Sequence, residues 1–265
     1  MGTYAAVVLA GGAARRMGGV DKPARPVGGL SMRDRVLAAV GDAAPRVLVG
    51  PGDGVADGVR VTREDPPGGG PVAAMAAGLA LLDPDTTLVA VLAADLPLLT
   101  RAAIGDLLTH LAPAGSSSPV TTGGGPSQAG TGPSQAGTGP SQAGTGPSQA
   151  GTGPSQAGTG PSQAGTGPSQ AGTGPVGLER RIDGVCFVDA DGRRQSLCGV
   201  WRVAALRTGL ARLAAERGGS LAGAPVRGLW AGLAVREVPW VGDGPPPWFD
   251  CDTDEDVRRA EEWVR

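Results

Sequence analysis

The chain lacks much of what metal sites, disulfide frameworks and stacking surfaces need. Its 265 residues include one histidine, three cysteines and 3% aromatic residues. The single histidine, His110, excludes His-rich zinc sites and Ser-His-Asp relays unless His110 itself takes part. The cysteines, Cys186, Cys198 and Cys251, are odd in number and lack paired metal-ligand spacing. We therefore interpret them as small packing residues of a reduced, cytoplasmic protein.

Charge of one sign and long apolar runs are also scarce. The formal net charge is −2, so the composition predicts no nucleic-acid surface and no attraction to an acidic membrane. No apolar stretch has the length that crossing a bilayer requires, and the first residues show no signal-peptide pattern. We expect a cytoplasmic protein that has no nucleic-acid partner and no membrane partner.

Glycine is abundant, with 47 residues, but many of them belong to one repetitive tract. The unit Pro-Ser-Gln-Ala-Gly-Thr-Gly occurs seven times without change over residues 126–174. It has no charge and no aliphatic side chain larger than alanine, so it cannot bury enough surface to offset the entropy of ordering. It also lacks the apolar seam of a coiled coil and the glycine period of collagen. We interpret residues 115–177 as a disordered low-complexity insertion within a single domain, 1–265.

On both sides of this insertion, short apolar runs alternate with amphipathic segments. Strands are predicted at Ala5–Leu9, Arg46–Val49, Val59–Thr62, 87–92, Gly184–Val188 and 233–238, and helices at 32–40, 71–82, Arg101–Leu111, Val203–Glu216 and Asp254–Val264. Short strands such as 87–92 are continuously apolar, as in a parallel sheet covered on both faces. The pattern predicts an α/β domain with a mostly parallel sheet, in which ligands bind beyond the carboxyl ends of the strands. The insertion follows a helix and precedes a strand, so we expect it at the opposite edge.

The segment after the first strand carries the strongest chemical signal. From Leu9 to Pro23 it contains four glycines, two arginines (Arg15 and Arg16) and Lys22. Glycines let a backbone approach a ligand closely, and their N–H groups can converge on phosphate oxygens. The cations can neutralise a triphosphate and the charge that develops on its leaving group. The segment therefore indicates a nucleoside-triphosphate site.

Three acidic segments follow further along the chain, and each has an ordinary structural alternative. Asp95 comes directly after a buried strand, where a carboxylate is costly without a partner such as Mg²⁺; alternatively it is a turn or cap residue before Pro97. Asp65 lies in a Gly/Pro-rich segment; alternatively, this segment is only an ordinary turn that precedes a helix. In the run from Asp250 to Asp256, Asp252 is a candidate metal or substrate contact. Alternatively this run only complements a helix N-terminus.

These segments resemble, in order, the motifs of the molybdenum cofactor guanylyltransferases. The matching residues are Leu9-Ala-Gly-Gly, then Arg16-Met-Gly-Gly-Val-Asp-Lys22, Glu64-Asp65 with the Gly-Pro stretch after it, Asp95-Leu-Pro97, and the acidic run that contains Asp252. The first of these is also typical of a broader nucleotidyltransferase group, and Gly19-Val-Asp-Lys22 favours the guanylyl branch. Three departures are an Ala74 where the family often has glycine, an extra Gly-Pro stretch that lengthens the loop after Asp65, and an Asp254 where the family usually has proline.

The resemblance implies a three-layer, Rossmann-like nucleotidyltransferase fold and a set of site residues. It implies nucleotide contacts from Leu9, Ala10, Gly11, Gly12, Arg16, Lys22, Asp65 and Asp95, with Arg16, Lys22 and Asp95 catalytic and with Asp95 and Asp252 as ligands of Mg²⁺. The implied reaction transfers GMP from GTP to the phosphate of a molybdopterin cofactor and releases pyrophosphate. Molybdoenzyme-maturation proteins are implied partners.

Two other functions stay open on the sequence. One is cytidylyl or sugar-nucleotidyl transfer on the same scaffold, because base choice depends on contacts around Ala10, Gly50 and Asp65 that the sequence does not resolve. The other is a non-catalytic homologue that binds a nucleotide or a partner. Such a homologue would tolerate loss of Lys22 or Asp95, whereas this chain keeps both residues.

Overall fold

The computed structural model describes residues 4–11, 22–111, 181–242 and 244–265. Gly12, Arg15, Arg16 and the whole repeat tract, for which the sequence makes predictions, lie outside these ranges. The structural statements below concern the described residues alone.

Nine strands and six helices make up the described part of the chain. The strands are β1 (Ala5–Leu9), β2 (Pro26–Val27), β3 (Leu30–Ser31), β4 (Arg46–Val49), β5 (Val59–Thr62), β6 (Leu88–Ala93), β7 (Gly184–Val188), β8 (Arg194–Arg202) and β9 (Val235–Pro239). The helices are α1 (Met32–Ala39), α2 (Pro71–Ala80), α3 (Arg101–Leu111), α4 (Val203–Glu216), α5 (Val226–Trp230) and α6 (Asp254–Val264), and a 3₁₀ turn covers Lys22–Ala24.

Seven of the strands form one sheet in the order β5-β4-β1-β6-β8-β7-β9. Neighbours pair in parallel except at β8, which is antiparallel to both β6 and β7. The prediction of a mostly parallel α/β sheet is therefore confirmed. β2 and β3 form a separate antiparallel hairpin.

Helices cover both faces of the sheet, which confirms the predicted three layers. α1 and α3 bury Val36, Ile104 and Leu107 on one face, and α2, α4 and α5 bury their apolar side chains on the other. α6 packs with the β2–β3 hairpin in a small third cluster around Val27, Met32 and Cys251. Each face thus has its own apolar core, which is why the central strands contain almost no polar residue.

The carboxyl ends of β1 and β6 meet where the strand order reverses. The chain passes from β1 to β4 on one side and returns to β6 on the other, so a crevice opens between these two strand ends. The Ala94 N–H donates to the Leu9 carbonyl at 3.0 Å and the Ala10 N–H donates to the Val49 carbonyl at 2.8 Å. These backbone bonds hold the segments that follow β1 and β6 in register.

Gly50, just beyond β4, packs closely against the backbone of Ala10 after β1. Its φ of +146° is rare for residues with a side chain, and a Cβ there would lie 2.9 Å from the carbonyl carbon of Ala10. Glycine therefore allows the chain after β4 to pass directly over the start of the glycine-rich segment.

Most element predictions agree with the structure, and the departures have local causes. The bounds of β1, β4, β5, β7, α3, α4 and α6 are as predicted, β6 and β9 are shifted by one or two residues, and α1 and α2 end slightly earlier. The predicted capping box is present, with Thr253 and Asp256 bonded reciprocally. β8 and α5 were not predicted: β8 begins with the polar residues Arg194, Gln195 and Ser196, which give no apolar run.

The described residues on either side of the insertion lie at the sheet edge opposite the crevice. Arg202, at the end of β8, donates from Nε to the Ile182 carbonyl at 2.8 Å and from its terminal nitrogen to the Leu111 carbonyl at 3.2 Å. Because β7 runs in the direction of β1, its first residue lies at the amino-end edge. One guanidinium thus joins the two described flanks of the insertion. In the described ranges, each helix is too short or too polar to cross a membrane.

Candidate active site

A cleft of about 1130 Å³ opens at the carboxyl ends of β1 and β6. One end, which we call the Asp95 end, is lined by Leu9, Ala10, Gly11, Lys22, Ala93 and Asp95, together with Asp250 and Asp252. The other, the Arg227 end, is lined by the first residues of β8 and by Val226, Arg227, Trp230 and Glu237. The volume exceeds the range common for sites of one small ligand, so the cleft has room for two substrates.

At the Asp95 end, one ammonium group bridges two carboxylates that are far apart in the sequence. Lys22 Nζ lies 2.5 Å from Asp95 Oδ2 and 2.7 Å from Asp252 Oδ1. The lysine side chain is 12% exposed, so these contacts are its main compensation for leaving water. Burial lowers the pKa of Lys22, but hydrogen bonds to Asp252 and Asp95 outweigh it and the pKa is raised. Lys22 is therefore charged at neutral pH.

Local structure explains how these three side chains meet. Lys22 begins the 3₁₀ turn, Asp95 follows the buried strand β6, and Asp252 directly precedes the N-cap residue of α6. The Cys251 N–H donates to the Asp95 carbonyl at 3.3 Å, and the Cys251 side chain is fully buried. This backbone bond attaches the segment before α6 to the end of β6.

A second ion pair supports the same junction. Arg25, at the end of the turn that Lys22 begins, pairs with Asp254 in the first turn of α6. Two cations of one short segment thus face two carboxylates of another. Asp254 also lies where the partial positive charge of the helix N-terminus favours an acid.

Asp250 is a third carboxylate at the Asp95 end. Burial raises its pKa, and the charges of Asp252 and Asp95 raise it further. The sequence left open whether Asp250 or Asp252 contacts a metal. Both residues line the cleft, and Asp252 accepts a hydrogen bond from Lys22.

The carboxylate pair fits a magnesium ion as the resemblance implies. Asp95 and Asp252 each place an oxygen within hydrogen-bond distance of one cation, so the two oxygens face the same small volume. Mg²⁺ prefers oxygen ligands and commonly takes one or two carboxylates, with water and substrate phosphates completing its shell. Within the described residues, no group of three or more His, Cys, Asp or Glu side chains is arranged as a metal cage. These two residues therefore suit a metal site in which substrate phosphates supply the other ligands.

The predicted nucleotide contacts divide into those that line the cleft and those that do not. Leu9, Ala10, Gly11, Lys22 and Asp95 line it. Gly12 and Arg16 lie outside the described residues.

Asp65 is exposed and does not line the cleft, so its contact with a nucleotide stays a prediction. Its neighbour Glu64 is instead the acid turned toward the glycine-rich segment. Glu64 is 8% exposed, and its Oε1 accepts the Gly68 N–H at 3.0 Å. A Cβ on Gly11 would lie 3.4 Å from both Glu64 carboxylate oxygens. The sequence analysis missed Glu64, although its place at the end of β5 was a usable signal.

Charged residues that the sequence analysis did not single out line the Arg227 end. Arg194 of β8 pairs with Glu237 of β9 at 2.6 Å across the intervening strand β7, with both side chains more than a third exposed. Arg227 projects from α5 and is also exposed. The three positions were missed because surface charges in short elements have no periodic signal.

A stacked pair of indoles supports this end from beneath. The rings of Trp201 (β8) and Trp230 (α5) lie parallel with centroids 3.9 Å apart, and both residues are buried. Trp201 packs so closely on Gly184 that a Cβ there would lie 1.9 Å from its Cε3 atom. Gly184 therefore makes the space that the stack occupies.

The remaining aromatic and nucleophilic candidates have structural roles. Trp240 and Trp248 both contact the ring of Phe187, and only Trp248 also lines the cleft. All three cysteines are buried and unpaired, as predicted. Burial raises the pKa of Cys186 to about 11 and also raises that of Cys198, so neither is a thiolate at neutral pH. His110 Nδ1 lies 2.9 Å from the Asp106 carbonyl in the last turn of α3.

Comparison with known proteins identifies a matching family model and similar sequences. Residues 6–137 match the model of the MobA-like NTP transferase domain. The chain is similar to two proteins named molybdenum cofactor guanylyltransferase. It is 38% identical over 103 residues to that of Nitrobacter hamburgensis (36% of this chain, 49% of the relative) and 39% identical over 116 residues to that of Bradyrhizobium sp. strain ORS 278 (41% and 53%). The matches thus span about half the length of these relatives.

Solved structures share the fold across nearly the whole chain. The molybdopterin-guanine dinucleotide biosynthesis protein A of Archaeoglobus fulgidus superposes with a TM-score of 0.56 at 15% identity, covering 97% of both chains. The 2-C-methyl-D-erythritol 4-phosphate cytidylyltransferase of Thermus thermophilus gives a TM-score of 0.53 at 15% identity, again covering 97% of both. The predicted nucleotidyltransferase fold is therefore confirmed.

Proposed function

Since residues 6–137 belong to the MobA-like NTP transferase domain family, we propose that this protein is a nucleotidyltransferase that moves GMP from GTP to the phosphate of a molybdopterin cofactor. The observation that carries the proposal is the bridge from Lys22 to Asp95 and Asp252 at the switch point of the sheet. The names of the two partly matching relatives support GTP and molybdopterin as substrates. Molybdoenzyme-maturation proteins and a cytoplasmic location belong to the same proposal.

The nucleotide binds at the Asp95 end in this proposal. The backbone after β1 reaches the cleft at Gly11, where the absence of a side chain lets N–H groups approach phosphate oxygens. Lys22, which is charged and only 12% exposed, neutralises the triphosphate. Arg16 has the same role by resemblance.

The acceptor binds at the Arg227 end. Its phosphate attacks the α-phosphorus of GTP in line and displaces pyrophosphate, and the enzyme forms no covalent intermediate. The described cysteines support this, because their raised pKa values disfavour a thiolate nucleophile. Catalysis then depends on positioning and charge neutralisation.

Asp95 and Asp252 would hold Mg²⁺, which supplies neutralisation of phosphate charge when it is bound. The role of these residues in the proposal is to fix that charge beside the ends of β1 and β6. Asp95 is the more constrained of the two, since it is 23% exposed and its backbone carbonyl is bonded to Cys251. Asp252, at 73% exposed, has more freedom to follow the substrate.

Pyrophosphate release tests the proposal directly. The full-length protein is incubated with Mg²⁺, molybdopterin and one of GTP, CTP or UTP, and released pyrophosphate is measured. We expect release with GTP and little with the other nucleotides. Release with CTP alone would support cytidylyl transfer, which the shared fold with a cytidylyltransferase favours as the second candidate. No release with any nucleotide, while GTP still binds, would support a non-catalytic homologue.

A further inference from the structure

The ammonium group of Lys22 occupies the place between two carboxylates where a divalent cation would be expected to bind. Its ammonium nitrogen lies between Asp95 and Asp252, within 2.7 Å of an oxygen of each. Without a cation there, the two negatively charged carboxylates would lie close together and repel one another. Asp250 would add a third negative charge at the same end of the cleft. The nucleotide-free protein thus carries its own counterion.

A cation so placed opposes metal binding. A divalent ion that reached Asp95 and Asp252 would stand beside a positive charge at hydrogen-bond distance from the same oxygens. A nucleotide removes that conflict, because its phosphate oxygens offer the ammonium group an alternative set of acceptors. The lysine is at the start of a short turn next to the glycine-rich segment, so it lies close to where the phosphates are proposed to bind.

We propose that Lys22 is an exchangeable internal counterion that keeps a divalent cation from the Asp95–Asp252 pair until a nucleotide triphosphate draws the lysine to its phosphates. The metal then enters only together with the nucleotide. This inference rests on the proposed function, and it adds an order of binding to it. The neighbouring pair between Arg25 and Asp254 holds the two segments together while Lys22 moves, so the exchange needs no opening of the α6 junction.

Metal binding to the nucleotide-free protein tests the inference without any turnover. Mn²⁺ is titrated into the full chain, and free Mn²⁺ is measured by electron paramagnetic resonance. We expect the Lys22→Met variant to bind Mn²⁺ about tenfold or more tightly than the unaltered protein, because a positive charge beside the carboxylates is gone. Equal affinity in the two proteins would overturn the inference.

Two further variants locate the effect. Arg25→Met removes a cation of the same segment but leaves Lys22 in place, and its Mn²⁺ affinity should stay within about twofold of the unaltered protein. In Lys22→Met combined with Asp95→Asn, the gained affinity should be lost. A gain in the Arg25 variant equal to that of the Lys22 variant would mean that only the general charge of the surface matters, which contradicts the inference.

The test remains decisive if Lys22→Met does not fold. Lys22→Gln keeps a hydrogen-bond donor for one carboxylate, and circular dichroism checks that each variant is folded before titration. Failure of this inference and failure of the proposed function are distinguishable. If the unaltered protein releases pyrophosphate from GTP but the Lys22 variants bind Mn²⁺ no more tightly than it does, only the counterion role is overturned. If the Lys22 variants gain Mn²⁺ affinity but the unaltered protein releases no pyrophosphate, only the transfer reaction is overturned.

Discussion

The Asp95 end of the cleft is made of buried strand ends and an ion-pair bridge centred on a mostly buried lysine, whereas the Arg227 end is made of exposed side chains on a strand start and a five-residue helix. Lys22 is 12% exposed, but Arg194 and Glu237 are 41% and 44% exposed. A site that must stabilise charge gains from fixed groups in a region poor in water, whereas a site that must recognise a larger molecule gains from groups that adapt. The contrast supports the proposal that the chemistry takes place at the Asp95 end and that the acceptor is recognised at the Arg227 end.

Asp95→Asn should show the largest effect, and it tests the chemical end. The substitution keeps the shape of the side chain but removes the charge that faces Lys22. We expect kcat to fall by about a hundredfold to a thousandfold, while GTP affinity changes far less. Steady-state kinetics and equilibrium titration of GTP measure the two quantities.

Asp85→Asn is the matched control for Asp95→Asn. Asp85 is exposed and precedes β6, at the end of that strand remote from the cleft. The kcat of the Asp85→Asn variant should equal that of the unaltered protein. Near-normal turnover in the Asp95 variant would show that this carboxylate has no catalytic task, and the assignment of chemistry to the Asp95 end would be wrong.

Gly184→Ala tests the support of the Arg227 end, and its effect is on stability. The new Cβ would lie 1.9 Å from Trp201, which is buried and stacks on the buried Trp230. We expect the free energy of unfolding to fall by about 1–3 kcal/mol. Urea unfolding followed by tryptophan fluorescence measures this.

Gly105→Ala is the control for that substitution, because a Cβ at Gly105 in α3 meets nothing within 4 Å. It should raise the free energy of unfolding by up to about 1 kcal/mol through helix propensity. Equal stability of the Gly184 and Gly105 variants would mean that the indole stack adapts, and that the Arg227 end is not rigidly supported.

The difference between the ends also explains how much the sequence could predict. Buried parallel strands such as β1 and β4 have continuous apolar runs, and helices such as α6 have caps, so their bounds were correct to the residue. β8 was missed because it begins polar and ends apolar, which matches neither strand pattern. α5 has only five residues, too few for a helical period.

For the site, the glycine-rich segment and Asp95 were identifiable by their positions after strands. That Lys22 and Asp252 share one site was implied only by the resemblance, since 230 positions separate them and no local pattern joins them. The prediction that Asp65 contacts the nucleotide rested on resemblance and stays a prediction. The burial of Glu64 depends on tertiary structure, because its carboxylate accepts a backbone N–H of the following loop.

Arg227→Ala tests the recognition end with a smaller expected effect. The residue is exposed, so its contribution to acceptor binding is screened by solvent. We expect KM for molybdopterin to rise about tenfold, with KM for GTP and kcat little changed. Arg259→Ala, which removes an exposed arginine of α6 outside the cleft, should change neither constant. A rise in KM for GTP instead would place the nucleotide at the Arg227 end.

Deletion of residues 126–174 should have the smallest effect. The described flanks, at Leu111 and Ile182, lie at the sheet edge opposite both ends of the cleft. We expect kcat and both KM values to stay within about twofold of those of the full chain, because the tract has no charged residue and its described flanks lie at the edge opposite the cleft. Loss of activity in a folded deletion variant would show that the tract reaches one of the two ends.

The guanidinium of Arg202 has a consequence for how this gene can change. Its hydrogen bonds hold the two described flanks of the insertion together. The tract is therefore expected to affect the stability of the fold mainly through the entropy of closing a loop between these fixed ends. For a flexible loop, which the composition of the tract predicts, each doubling of length costs only about 0.6 kcal/mol of closure entropy. The number of seven-residue copies is therefore nearly neutral for folding, and it can lengthen or shorten by replication slippage with little selection from stability.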